Sequence, residues 1–180
     1  MKAVFLDRDG VINQDRDDYV KNLDELHVFP DAPAAIRRLN DAGFEVFVVS
    51  NQQGIARGLI AEQDLLAIQN EIVRRVGQAG GRIAAFYYCP HLASANCSCR
   101  KPRPGLILKA AKEHGIELGA SFMVGDSEKD IIAGKSAGTH TVLVLTGSLA
   151  SSDAQHIPCR PDFTAANLAE AAAYLADLAS

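Results

Sequence analysis

The chain has 180 residues, 48% of them hydrophobic and 22% charged, with a formal net charge of −4. That length suits one domain with a core of its own, and the composition excludes wholesale disorder. The acidic balance argues against a duplex-binding protein, and no apolar run reaches the roughly 18 residues of a membrane span.

Residues 2–6 are a short apolar run that stops at a charged turn, which predicts a buried strand. Acidic Asp7 follows too soon for a signal peptide. Asp31 can cap a helix over 32–42, with Pro33 in its first turn and Gly43 closing it. Residues 44–49 read as a strand that ends at Ser50 and a turn. A helix over 62–76 carries Leu65, Ile68, Ile72 and Val76 at helical spacing, and Gly80 and Gly81 stop it. A third strand over 83–88, a helix over 105–114 ending at Gly115, and a strand over 122–124 follow. The pattern then gives a helix over 127–137 ending at Gly138, a strand over 141–145, a loop over 147–161 and a last helix over 167–178. Strands that read as unbroken apolar runs and alternate with helices imply a parallel sheet covered on both faces. The expected fold is a doubly wound α/β sheet in one domain, 1–180, with its ligand site beyond the carboxyl ends of the strands.

Residues that carry chemistry gather at those ends. Asp7 and Asp9 follow the first strand and, two apart, project the same way. Like charges so close need a cation or a shared proton. A calcium loop of the EF-hand type is excluded, because that pattern places glycine sixth and here Gly10 is fourth. Ser50 offers a hydroxyl beside an open turn that suits an oxyanion. Arg100, Lys101 and Arg103 precede a helix and can form an anion site. Asp126 can cap the next helix, and Asp130 lies four residues on, on the same helix face. Taken singly, each also fits a plainer reading as a turn, a solvated basic loop or a helix cap.

Four cysteines in a chain expected in a reducing cytoplasm make structural disulfides unattractive. Cys89, His91, Cys97 and Cys99 offer three thiolates and one imidazole, a set suited to a closed, structural zinc site in a loop over 89–99. That loop has few hydrophobic residues beyond Leu92, Ala93 and Ala95, so metal binding would supply folding energy. Cys159 has no ligand partner nearby in sequence and is expected to be a buried or free thiol.

The conjunction is more specific than its parts. Asp-x-Asp-Gly at 7–10, Ser50-Asn51, Lys101-Pro102 and Gly-Asp-x-x-x-Asp at 125–130 resemble the haloacid dehalogenase superfamily of phosphatases. Within it, Asp7-Arg8-Asp9-Gly10-Val11-Ile12-Asn13, the run from Ser50 to Gly58 and the Cys89-to-Lys101 segment resemble the D-glycero-D-manno-heptose-1,7-bisphosphate 7-phosphatases. Histidinol-phosphate phosphatases share most of these signatures. The resemblance implies a fold without a large cap domain. It implies Asp7 as nucleophile, Asp9 as general acid and base, and Ser50 and Lys101 holding the phosphoryl oxygens. Mg²⁺ would be held by Asp7, the Asp9 carbonyl and Asp126, with Asp130 orienting neighbours. The substrate would be a small sugar phosphate contacted by Asp15, Arg16, Asp17, Asp18, Asn51, Gln52, Gln53, Arg57, Arg100 and Arg103. The enzyme is expected to be a monomer. Histidinol phosphate as substrate, or a zinc-stabilised binding module on an inactive scaffold, are the competing expectations.

Overall fold

The computed structural model describes residues 1–147 and 159–179. Among these residues, six parallel strands form one sheet in the order β3-β2-β1-β4-β5-β6. They are β1 (Ala3–Leu6), β2 (Glu45–Asn51), β3 (Ala85–Cys89), β4 (Phe122–Gly125), β5 (His140–Val144) and β6 (Phe163–Ala165). The helices are α1 (Ala32–Asp41), α2 (Glu62–Gln78), α3 (Gly105–His114), α4 (Glu128–Ala137) and α5 (Leu168–Ala179).

Alternation along each strand divides the core. Val4 and Leu6 of β1 and Val46 and Val48 of β2 pack with Ile36 and Leu39 of α1, Ile68 and Ile72 of α2 and Leu175 of α5. Ala3, Phe5, Phe47, Val49 and Met123 face the other way, onto Leu106, Ile107 and Ala110 of α3 and Ala133 of α4. Helices on both faces leave the ends of the strands as the place for a ligand. Strand order reverses between β1 and β4, and a crevice opens there beyond their carboxyl ends. Asp7 leaves β1 and Asp126 leaves β4 at that point.

The glycine stops hold: Gly115 and Gly138 close α3 and α4 with φ of 65° and 90°. Two caps do not. Asp31 makes no side-chain capping hydrogen bond and itself sits in helical backbone, so Pro33 marks the start of α1 without it. Ser127, not Asp126, is the N-cap of α4, because Asp126 is directed into the crevice. Ser50 lies inside β2, paired with Tyr88, and Asn51 pairs with Cys89. Strand β6 was not foreseen; three residues beside β5 are too few for a pattern to show. Of the expected loop over 147–161, residues 148–158 lie outside the described residues. Cys159 is a free, partly buried thiol against Ile131 and Leu143. No helix among the described residues is long and apolar enough to cross a membrane.

Candidate active site

A cavity of about 330 Å³ opens at the switch point. Asp7, Asp9, Ser50, Lys101, Asp126 and Asp130 line it, together with Asp15, Arg16, Asp17, Asn51, Gln53 and Arg100. Tyr19, Ser127 and Lys129 join them, none of which was singled out as a site residue from sequence.

The centre is a network of buried charges. Lys101, 3% exposed, places its Nζ 2.9 Å from Asp7 and 2.7 Å from Asp130, and donates to the Val49 carbonyl at 2.8 Å. Burial works against the lysine's charge, but Asp130 and Asp7 outweigh it and hold its pKa above the ordinary value. Asp130 also accepts from the Ser127 backbone N–H at 3.1 Å, the reach-back half of a capping box, and from the Ser127 hydroxyl. The fully buried carboxylate of Asp130 thus ties the start of α4 to the lysine.

Asp7, Asp126 and Asp130 bring carboxylate oxygens within 4.8 Å of one another. Burial pushes Asp7 well above the usual carboxylate range; Lys101 pulls it down, while Asp130, Asp126 and Asp9 push it up. Such a crowd of buried acids is the electrostatic setting that a divalent cation relieves. Gly10 has φ of 80°, and a Cβ there would lie 2.5 Å from a carboxylate oxygen of Asp126; one at Gly147 would lie 1.9 Å away. Side chains at these two positions would displace the aspartate. We predict that Gly10→Ala lowers stability by about 1–3 kcal/mol through backbone strain and removes most activity through Asp126. Urea denaturation beside an activity assay checks both.

Asp9 turns away from that cluster. Arg8 Nη2 donates to both of its oxygens, at 2.7 and 2.8 Å, Asn13 donates at 2.9 Å and Gln52 at 3.0 Å. Burial raises its pKa, but Arg8 and the Asn13 and Gln52 hydrogen bonds prevail and hold it below the usual value. Arg8 is only 2% exposed, a buried cation lodged between two site aspartates. Gln52 is buried too, and it also donates to the Ser50 Oγ at 2.6 Å. It therefore braces the site from behind and does not line the cavity.

The expected substrate contacts divide by position. Asp15, Arg16 and Asp17 lie on the segment between β1 and α1 that folds over the crevice, held by Gln14 N–H to His27 O and Phe29 N–H to Ile12 O. Asp18 is 60% exposed and paired with Arg16 and Lys21, off the cavity wall. Gln53 lines the cavity and donates to the Tyr19 hydroxyl. Arg57 stacks 5.9 Å from the Tyr19 ring and does not line the cavity. Arg103 donates to Cys97 O and Asn96 Oδ1, on an adjoining cavity beside the cysteine loop. Arg100 lines both cavities and donates to the His91 carbonyl at 3.3 Å. Both amide atoms of Asn51 are engaged with the Lys101 backbone, at 3.0 Å each.

Cys89, His91, Cys97 and Cys99 converge. The sulfur atoms stand 3.2–3.5 Å apart, and His91 Nδ1 lies 3.6 Å from Cys89 Sγ and 3.3 Å from Cys99 Sγ. A tetrahedral Zn–S distance of about 2.3 Å implies edges of about 3.8 Å, slightly longer than these. Donor type and convergence both fit zinc.

A HAD-hydrolase-like family model matches residues 98–171. A Neisseria meningitidis protein named D-glycero-beta-D-manno-heptose-1,7-bisphosphate 7-phosphatase is 41% identical over 164 residues, 91% of this chain and 88% of that protein. A Pseudomonas aeruginosa protein of the same name is 42% identical over 144 residues, 80% of this chain and 81% of that one. Among solved structures, the D,D-heptose 1,7-bisphosphate phosphatase from B. bronchiseptica, complexed with magnesium and phosphate, superposes with a TM-score of 0.92. It is 37% identical and covers 99% of both chains.

Proposed function

Because the chain belongs to the D-glycero-beta-D-manno-heptose-1,7-bisphosphate 7-phosphatases, a family of haloacid-dehalogenase-type phosphatases, we propose that it hydrolyses the 7-phosphate of D-glycero-D-manno-heptose 1,7-bisphosphate. The reaction would serve heptose precursor synthesis for lipopolysaccharide or other cell-surface glycans. The protein would act as a cytoplasmic monomer, in a compartment where its thiols stay reduced. The observation that carries this reading is the placing of Asp7 at the switch point, between a buried carboxylate partner, Asp126, and a buried cation, Lys101.

Asp7 is the nucleophile of the proposed reaction. One of its carboxylate oxygens forms a bond to phosphorus as the bond from phosphorus to the sugar C7 oxygen breaks, leaving an aspartyl-phosphate. Asp9, turned from Arg8 toward the leaving oxygen and protonated once clear of that ion pair, gives it a proton. It then removes a proton from the water that attacks phosphorus, which releases orthophosphate and restores Asp7. The contacts of Asp9 to Arg8, Asn13 and Gln52 favour the carboxylate, the form this second half requires. Ser50 and Lys101 hold phosphoryl oxygens as charge develops on them. Asp130 fixes the ammonium of Lys101. Asp7, Asp126 and the Asp9 backbone carbonyl would hold Mg²⁺, which when bound offsets the negative charge of carboxylates facing a phosphate dianion. Cys89, His91, Cys97 and Cys99 would hold a structural Zn²⁺.

The second phosphate needs a cation of its own. Of Arg57, Arg100 and Arg103, Arg100 is the one that lines the catalytic cavity, which supports this role for it; Arg16 on the same cavity wall is paired with Asp18. A guanidinium grips a dianion with two hydrogen bonds, and such remote binding orients the reacting end. Arg100→Ala should lower kcat/KM strongly for the heptose bisphosphate and much less for a small monophosphate. Equal losses would indicate disturbance of Lys101, and no loss would make Arg100 a surface charge. A panel of heptose bisphosphate, histidinol phosphate and simple monophosphates, with and without Mg²⁺, tests the function itself. Preference for histidinol phosphate would overturn the assignment, although the relatives' names do not favour it.

A further inference from the structure

We propose that Asn51 is a positioning residue, whose side-chain amide clamps the backbone of Lys101 and so aims the lysine ammonium at the transferring phosphoryl group. The proposal rests on the reading of Lys101 as the phosphoryl-binding cation. Asn51 Nδ2 donates to the Lys101 carbonyl and Asn51 Oδ1 accepts from the Lys101 N–H, each at 3.0 Å. This reciprocal pair imitates a strand partner, with a side chain standing in for a second backbone. Fifty positions of sequence separate the two residues, so the clamp is tertiary and fastens the loop after the cysteine cluster to the end of β2.

A lysine needs such help more than most residues. Its charge sits on a flexible four-carbon stem, and holding the charge alone leaves the base of the stem free. Here β2 holds both ends. Val49 accepts from the ammonium, and Asn51, two residues on, fixes the backbone. The same asparagine pairs through its backbone with Cys89, and Gln52 N–H donates to the Cys89 carbonyl. Cys89 opens the cysteine loop and Cys99 ends it two residues before Lys101. Asn51 therefore stitches the two ends of that loop together, at the point where the loop delivers the lysine. With both its amide atoms committed to Lys101, the side chain of Asn51 is poorly placed to serve chiefly as a sugar ligand.

The test uses purified full-length Asn51→Ala, Asn51→Asp and Lys101→Met. Each is assayed on the heptose bisphosphate and on a small aryl monophosphate, with zinc content, melting temperature and inhibition by orthophosphate measured alongside. Displacing a catalytic group by about 1 Å costs on the order of 10²-fold. Asn51→Ala should therefore lower kcat on both substrates by one common factor, roughly 10- to 100-fold. It should also weaken orthophosphate inhibition and leave zinc content unchanged. Asn51→Asp has the same shape and can still accept from the Lys101 N–H but cannot donate to its carbonyl, so its loss should be intermediate. Wild-type kcat in Asn51→Ala, a loss confined to the bisphosphate, or loss of zinc would each overturn the proposal. Should Asn51→Ala fail to fold, wild-type kcat in Asn51→Asp would overturn it. An active Lys101→Met would instead remove the reading on which the proposal stands, and the proposal with it.

Discussion

Asp7→Asn is expected to lose turnover by more than about 10⁴-fold, a size typical of deleting a nucleophile, while the protein stays folded. The amide has nearly the shape of the carboxylate but cannot form the aspartyl-phosphate. Stability should change little, because two effects of the substitution oppose each other. Asparagine removes a buried charge that burial and the neighbouring Asp130, Asp126 and Asp9 disfavour. It also removes one of the two ion-pair partners of Lys101, which keeps Asp130 at 2.7 Å. The lysine is thus never left buried without a counter-charge, the situation that costs most. Thermal unfolding should place the variant close to wild type. Steady-state activity in this protein, with deamidation excluded by mass spectrometry, would remove Asp7 from the nucleophile's role.

Much of this site was legible because its residues obey the topology. In a parallel sheet covered on both faces, only the strand ends are open, so Asp7 and Asp126 could be placed from their position after apolar runs. The helix stops at Gly115 and Gly138 were legible because left-handed backbone selects glycine. What stayed hidden depends on which way a side chain turns. Arg8 lies between two aspartates, where sequence suggests solvent, yet it is buried and pairs with Asp9. Asn51 and Gln52 belong to a polar turn that reads as ligand-binding, but their amides are used on Lys101, Asp9 and Ser50. Tyr19 enters the cavity from a loop without periodicity, in positive-φ backbone that nothing in the local sequence announces. Lys129 sits in the first turn of α4, where a solvated helix face is the ordinary expectation.

The cysteine cluster carries the other large expected effect. Cys97→Ser should release a zinc that otherwise survives extensive dialysis, and should lower activity by roughly 10- to 100-fold, the range seen when metal-site support is lost. The route is short. Cys99 precedes Arg100 and Lys101, and the Cys97 carbonyl accepts from Arg103, so the cluster anchors the whole basic turn. The loss should remain partial, because Lys101 keeps Asn51 on its backbone and Asp130, Asp7 and Val49 on its ammonium. The sheet should be affected less than the loop, since residues 90–99 meet the core only through the partly buried Cys97 and Cys99, at the margin of one of its two layers. Chelation of the wild-type protein gives the complementary measurement. Mg²⁺ alone should restore little activity to the stripped enzyme, whereas Zn²⁺ followed by Mg²⁺ should restore most of it. Two metals with separate duties predict that order. Full recovery on Mg²⁺ alone, or full zinc content together with full activity in Cys97→Ser, would mean that the three thiols and His91 do not support Lys101.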